Sequence, residues 1–180
     1  MLIWIIGLSG SGKSTVGRLV AEALKKSHAD TVFLDGDRLR QAVSFDLGYS
    51  EADRRVSELR RSRLCQLLSE QGMRVVCAAI SNCPDIRAWC RSEIPGYVEV
   101  YLRSSLDTLR TRDPKGLYGR DGSAPRQVVG VDIPFQEPTA SDLVLDMDDA
   151  MTPDKAAGSI LEHLQKIAVS HGFSPRRVNA

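Results

Sequence analysis

An α/β fold built on a parallel sheet is what this chain predicts, on three observations. Short β-rich apolar runs, the first at Leu2–Ile6 (LIWII), lack strict polar alternation and suit strands covered on both faces. These runs alternate with helical patterns from one end of the chain to the other, as right-handed strand–helix–strand units require. A glycine-rich turn, Gly7–Thr15 (GLSGSGKST), separates the first apolar run from the first helical pattern.

Along the chain, a helical pattern at Lys13–Lys26 leads to a second β-rich run at Thr31–Asp35. The long helical pattern Glu51–Gln71 is amphipathic. Val56, Leu59, Leu64, Leu67 and Leu68 are expected to face the core, and Arg54, Ser57, Glu58 and Arg61 to form a solvated stripe with Glu–Arg pairs. Met73–Ile80 reads as a strand, Pro84–Glu93 as a helix, Val98–Leu102 as a strand and Leu106–Thr111 as a short helix. Trp89 and Cys90 ride on a helix whose face, core or interface, is left open. Residues 113–134 have no clear periodicity and carry Pro114, Gly116, Gly119, Gly122, Pro125 and Gly130. An irregular stretch of that length inside a compact domain usually has a job, such as a lid. Leu143–Leu145 and Pro153–Val169 supply the last strand and helix. Residues 171–180 (HGFSPRRVNA) have no core to join and are expected to fray. Residues 1–170 thus read as one domain with a lid near 113–134, followed by a tail.

At 180 residues a single domain buries roughly 70% of its unfolded surface. Charged residues are 26% and apolar ones 42%, as in soluble globular domains. A net charge of +1 gives no field for a nucleic acid or a membrane surface, so any basic site is local. No apolar run approaches a membrane span, and Met1 leads straight into a core strand, which argues against a secretory signal. Cys65, Cys77, Cys83 and Cys90 show no C-x-x-C spacing; they are expected to be reduced, with Cys65 and Cys77 in the core. The expected location is the cytoplasm.

The glycine-rich turn fits G-x-x-x-x-G-K-[ST] at Gly7, Gly12, Lys13 and Ser14. Glycines let backbone wrap round phosphates with its N–H groups pointing inward, which makes Gly7, Ser9, Gly10, Ser11, Gly12 and Thr15 a phosphate cradle. Lys13 would reach the β/γ-phosphates, Ser14 would hold Mg²⁺, and the helix would present its positive end. A second signal, Asp35-Gly36-Asp37, ends the second strand. Beside a γ-phosphate, one carboxylate serves Mg²⁺ through water and the other orients an attacking hydroxyl. The alternative for Asp35 is a helix N-cap. Arg40, Arg54 and Lys115 follow in the right places for an anionic acceptor, whose phosphate or sulfate oxygens match an arginine fork.

Gly7–Thr15, Asp35–Arg40, Asp46–Ser50, Asp53-Arg54, Arg112–Tyr118 (RDPKGLY) and Gly130–Asp132 occur in the order and spacing of adenylylsulfate kinases. The chain resembles that family from Met1 to about Asp148. The resemblance implies a P-loop kinase with a mobile lid, typically dimeric, that phosphorylates the 3′-hydroxyl of adenylylsulfate with ATP and Mg²⁺. It implies that Asp37 stands nearest the attacking hydroxyl and that Asp35 belongs to the Mg²⁺ shell. Arg40 and Arg54 would clamp the acceptor's anion, and Tyr49 would stack on its base. Arg112 would pack near the adenine of ATP, and Lys115 would act from the lid.

Three departures from the family pattern cluster on the acceptor side. Ser57 stands where the family usually has Asn. The I-S-P-x-R run is broken at Ile80–Arg87 (ISNCPDIR), although Ser81 survives. Val128 replaces the second aromatic ring, at a stacking cost of about 1–3 kcal/mol. Drift with adenylylsulfate retained is the first reading. The alternative is the same phosphotransfer to another small nucleotide, such as cytidine diphosphoramidate in polysaccharide modification. A non-catalytic ATP-sensing module is the third reading, and joint retention of Lys13, Ser14, Asp35, Asp37 and Lys115 argues against it.

Overall fold

The computed structural model describes residues 1–113, 116–118, 127–148 and 150–170. Five strands, β1 (Leu2–Ile6), β2 (Thr31–Asp35), β3 (Arg74–Ala79), β4 (Tyr97–Arg103) and β5 (Leu143–Asp146), form one sheet in the order β2-β3-β1-β4-β5. Every pairing is parallel, with Leu2 opposite Val75 on one side and Tyr97 on the other. Among the described residues six helices accompany them: α1 (Lys13–Lys25), α2 (Gly36–Val43), α3 (Glu51–Glu70), α4 (Pro84–Glu93), α5 (Leu106–Arg112) and α6 (Pro153–Ser170).

β1 shows why the apolar runs lack alternation. Its side chains point to opposite faces in turn, and both faces are covered. Ile3 and Ile5 join Val16, Val20, Val100 and Ile160 in the core under α1 and α6. Leu2, Trp4 and Ile6 join Cys65, Cys77, Ile86 and Cys90 in the core under α3 and α4. The expected burial of Cys65 and Cys77 therefore holds, and all four cysteines are free thiols. Cys90 is core, with Trp89 half-buried against the same cluster.

Helix α3 reverses the sequence expectation. Val56, Leu59 and Leu67 are 41%, 44% and 52% exposed, while Ser57, Glu58, Arg61, Ser62 and Cys65 are buried. Leu64 and Leu68 are half-buried. The reason is position. The N-terminal half of α3 overhangs a cavity rather than the apolar core, so its inward stripe is polar, and apolar contact resumes only at Cys65 and Leu68.

Helix α2 was not foreseen as an element, though its cap was. Asp35 Oδ1 accepts from the N–H groups of Asp37 and Arg38, at 3.0 and 3.2 Å. Among the described residues no helix is long and apolar enough to cross a membrane.

Candidate active site

A cavity of about 770 Å³ opens at the carboxyl ends of β1, β2 and β3, where ligands collect in parallel sheets. Lys13 and Ser14, at the start of α1, line it together with Asp35 and Asp37. Arg40, Tyr49, Arg54, Ser57, Ser81 and Val128 line the rest.

The loop before α1 is shaped for close backbone approach. Gly10 and Gly12 take φ of 80° and 92°, which an L side chain rarely adopts. A Cβ on Gly7 would lie 2.6 Å from the Leu102 carbonyl oxygen and 2.7 Å from Ser11 Oγ. Ser11 Oγ is buried without a hydrogen-bond partner among the described residues, and Lys13 Nζ donates to the Leu8 carbonyl at 2.5 Å. An orphaned hydroxyl and an ammonium resting on a loop carbonyl are what a phosphate cradle offers a polyphosphate. Tyr118 fastens this loop from outside, its hydroxyl donating to the Ser9 carbonyl at 2.8 Å. ATP thus fits the donor set. Ser14 and Asp35 fit Mg²⁺, which takes one or two protein oxygens and completes its shell with water and phosphate.

Guanidinium groups gather around Tyr49 in the cavity wall. Arg40 Cζ lies 4.3 Å from the centroid of the Tyr49 ring and Arg54 Cζ 5.3 Å. Arg40 also donates to the Gly48 carbonyl, and Arg54 Nε donates to the Tyr49 carbonyl at 3.0 Å. Burial, and then the neighbouring Arg40 charge, hold the Arg54 pKa below its ordinary value. The Tyr49 ring is therefore shared by two cations. Val128 is buried among Leu8, Leu109, Tyr118, Val129 and Ile133, a small core at the carboxyl end of the sheet.

Ser81 turns out to be a pivot. Its φ of 52° is unusual for a residue with a Cβ. Its hydroxyl donates to Glu58 Oε1 at 2.6 Å, while Glu58 Oε2 accepts the Asn82 N–H at 2.9 Å. Arg87, buried on α4, donates to the Ser81 carbonyl at 2.7 Å. Cys83 sits beside Glu58, and burial, with that carboxylate, pushes its thiol up to about 12.

Sequence reasoning missed Glu58 and Arg61, because a charged helix stripe reads as solvated, and missed Arg87 on α4. The small residues Ser57, Ser62 and Cys65 interleaved with that stripe were the available signal of close packing. Arg112 is not part of the cavity wall; it donates to the Met147 carbonyl at 2.6 Å. Lys115 lies outside the described residues, as do residues 114 and 119–126 of the expected lid and all of the tail at 171–180.

A parallel sheet with this loop at its first strand–helix turn, facing two aspartates and an acceptor cleft, defines a P-loop phosphotransferase. The sequence pattern of the adenylylsulphate kinase family matches residues 1–146, and the chain belongs to that family. The adenylyl-sulfate kinase of Geotalea uraniireducens is 43% identical over 81% of this chain and 72% of its own length. That of Marinobacter nauticus is 36% identical over 92% and 84%. Among solved structures, the Mycobacterium tuberculosis APS kinase in complex with AMPPNP and APS superposes with a TM-score of 0.81 at 37% identity, covering 91% of this chain and 96% of the other.

Proposed function

We propose that this protein transfers the γ-phosphoryl group of ATP to the ribose 3′-hydroxyl of adenylylsulfate. One observation carries the reading. A single cavity joins the Lys13–Ser14 end, the Asp35–Asp37 pair and the Arg40–Tyr49–Arg54 cluster, so donor, base and acceptor clamp share one space. The names of the relatives favour adenylylsulfate over a cytidine nucleotide as acceptor.

Lys13 leaves the Leu8 carbonyl and pairs with the β/γ oxygens, while the N–H groups of Gly7–Ser14 hold the phosphates. Ser14 and Asp35 would hold Mg²⁺, which would supply further charge neutralisation when bound. Arg40 and Arg54 hold the acceptor's anion and set its 3′-hydroxyl at Asp37. Asp37 accepts the hydroxyl proton as the new O–P bond forms and the β,γ-bridging O–P bond breaks, releasing ADP. Catalysis here is positioning and charge placement, with no covalent enzyme intermediate. The resemblance adds three parts: Lys115 meeting developing charge from a mobile lid at 113–134, Arg112 beside the adenine, and a homodimer of 1–170 domains in the cytoplasm. The exposed apolar side chains Val56, Leu59 and Leu67 on α3 support self-association, which sedimentation equilibrium tests.

The deciding experiment is an ATP-dependent mass shift with purified protein and Mg²⁺ over adenylylsulfate, cytidine diphosphoramidate, CDP and AMP. Phosphorylation of adenylylsulfate is expected. A shift confined to cytidine nucleotides would replace the acceptor while keeping the reaction, and ATP binding without turnover of any acceptor would make the protein a sensor.

A further inference from the structure

Arg61 stands on α3, two turns beyond Arg54, and lines the cavity although only 8% exposed. Its Nε is buried and has no hydrogen-bond partner among the described residues. Among those residues its guanidinium enters no salt bridge either. Its aromatic neighbour is Trp4 of β1, with Cζ 5.6 Å from the ring centroid. Glu58, three residues earlier on the same helix, makes no direct ion pair with it. Both Glu58 oxygens are engaged elsewhere, one by the Ser81 hydroxyl and one by the Asn82 N–H.

A guanidinium carried into a protein wall without a direct ion-pair or hydrogen-bond partner is costly, and an aromatic face offsets only part of that cost. What is missing is an anion, and the cavity is the side from which one can arrive. Arg40 and Arg54 gather at Tyr49, between α2 and α3, whereas Arg61 lies over Trp4 of the central strand β1. The two cationic positions are distinct places along one cleft. We infer that Arg61 is a further acceptor-binding residue, donating to an anionic oxygen other than those held by Arg40 and Arg54. It thereby selects nucleotides whose 5′ substituent carries two linked anionic groups, a phosphosulfate or a diphosphate, over nucleoside monophosphates.

This inference rests on the kinase reading for its choice of ligands, and binding measurements separate the two. Adenylylsulfate, AMP, CDP and CMP are titrated calorimetrically into the wild-type protein, Arg61→Gln and Arg61→Lys. The wild type is expected to bind adenylylsulfate or CDP at least about tenfold tighter than the matching monophosphate, the worth of one charge-assisted contact. In Arg61→Gln that ratio falls to within about threefold, and Arg61→Lys keeps part of it, since it retains charge but not the fork. The ligand-free melting temperature of Arg61→Gln is expected to match that of the wild type, because no direct ion pair or hydrogen bond of Arg61 is lost.

A wild-type ratio near one, or a ratio unchanged in Arg61→Gln, overturns the assignment. So does a fall in melting temperature with equal weakening of all four ligands, which marks a structural role on Trp4. Should Arg61→Gln fail to fold, the drop in ratio for Arg61→Lys decides. If the wild type binds adenylylsulfate without phosphorylating it, the proposed reaction falls while the CDP/CMP ratio still supports or overturns Arg61.

Discussion

Arg54 Nη2 donates to the carbonyl oxygen of Gln127 at 2.7 Å, joining the first turn of α3 to the segment that carries Val128 across the cleft. The same guanidinium bonds the Tyr49 carbonyl through Nε. One side chain therefore ties three walls of the acceptor half together, next to a second cation, Arg40, that holds its pKa down along with burial. An anion bound between the two relieves that repulsion. As the proposed anion clamp, Arg54 would serve the acceptor and not ATP. Arg54→Ala is expected to raise the acceptor KM about 10- to 100-fold, the loss of one or two charge-assisted hydrogen bonds, with the ATP KM moving less than about threefold. Steady-state kinetics with each substrate varied in turn reads this directly, and equal weakening of both would remove Arg54 as the clamp.

Asp37 lies one residue inside α2, exposed to the cavity and within it alongside Lys13 and Ser14. The Asp35 side chain bonds the Asp37 N–H, which fixes where the Asp37 carboxylate begins. If Asp37 aligns the hydroxyl and takes its proton, Asp37→Ala lowers kcat by about 10²- to 10⁴-fold with little change in ATP affinity. Single-turnover kinetics beside ATP titration separates the two effects. An unchanged kcat would take Asp37 out of the mechanism.

How far the sequence could be read depended on which force placed each residue. The strands and the loop at Gly7–Thr15 were legible because burial on both faces and phosphate geometry leave local signatures. All five strands appear where the apolar runs put them, to within about two residues at each end, the usual uncertainty of element boundaries. Helix α3 was misread because its inward face is decided by a cavity, a tertiary feature with no local period. Ser57, Glu58 and Arg61 look like a wet stripe until α3 is laid over the cleft. Arg87 was illegible for a related reason. The break in the family pattern at Ile80–Arg87 hides that Arg87 reaches back from α4 to the Ser81 carbonyl.

Gly7→Ala tests the cradle from inside. The added Cβ would meet the Leu102 carbonyl at 2.6 Å and Ser11 Oγ at 2.7 Å. The first is backbone of β4, which cannot swing aside as a long side chain can. Overpacking of this kind costs about 1–3 kcal/mol, and the displaced loop loses its alignment on phosphate. The variant is expected to melt at lower temperature and to lose the thermal stabilisation that ATP confers on the wild type. Retention of that stabilisation in full would mean the loop tolerates a shift the cradle should not.

Tyr118 tests the same loop from outside. Its hydroxyl donates to the Ser9 carbonyl, and the Asp113 carboxylate holds the Leu117 and Tyr118 N–H groups at 2.7 and 2.9 Å. The start of the candidate lid is thus fastened to the phosphate loop. Burial, and then the Asp113 charge, push the Tyr118 phenol up to about 12. The neutral phenol is the donor, so its contribution is complete below the pH at which the unfolded phenol ionises and is lost as pH rises through the folded value. Between about pH 7 and 9 the donor is intact, and Tyr118 adds no pH dependence to ATP binding. Tyr118→Phe keeps the ring in its small core and deletes only the donor. It is expected to raise the ATP KM about 3- to 10-fold, by the same factor at both ends of that range, with the acceptor KM little changed. A rise confined to the alkaline end would point to a group other than Tyr118, and no rise at all would mean the Ser9 carbonyl is held by other contacts when ATP is bound.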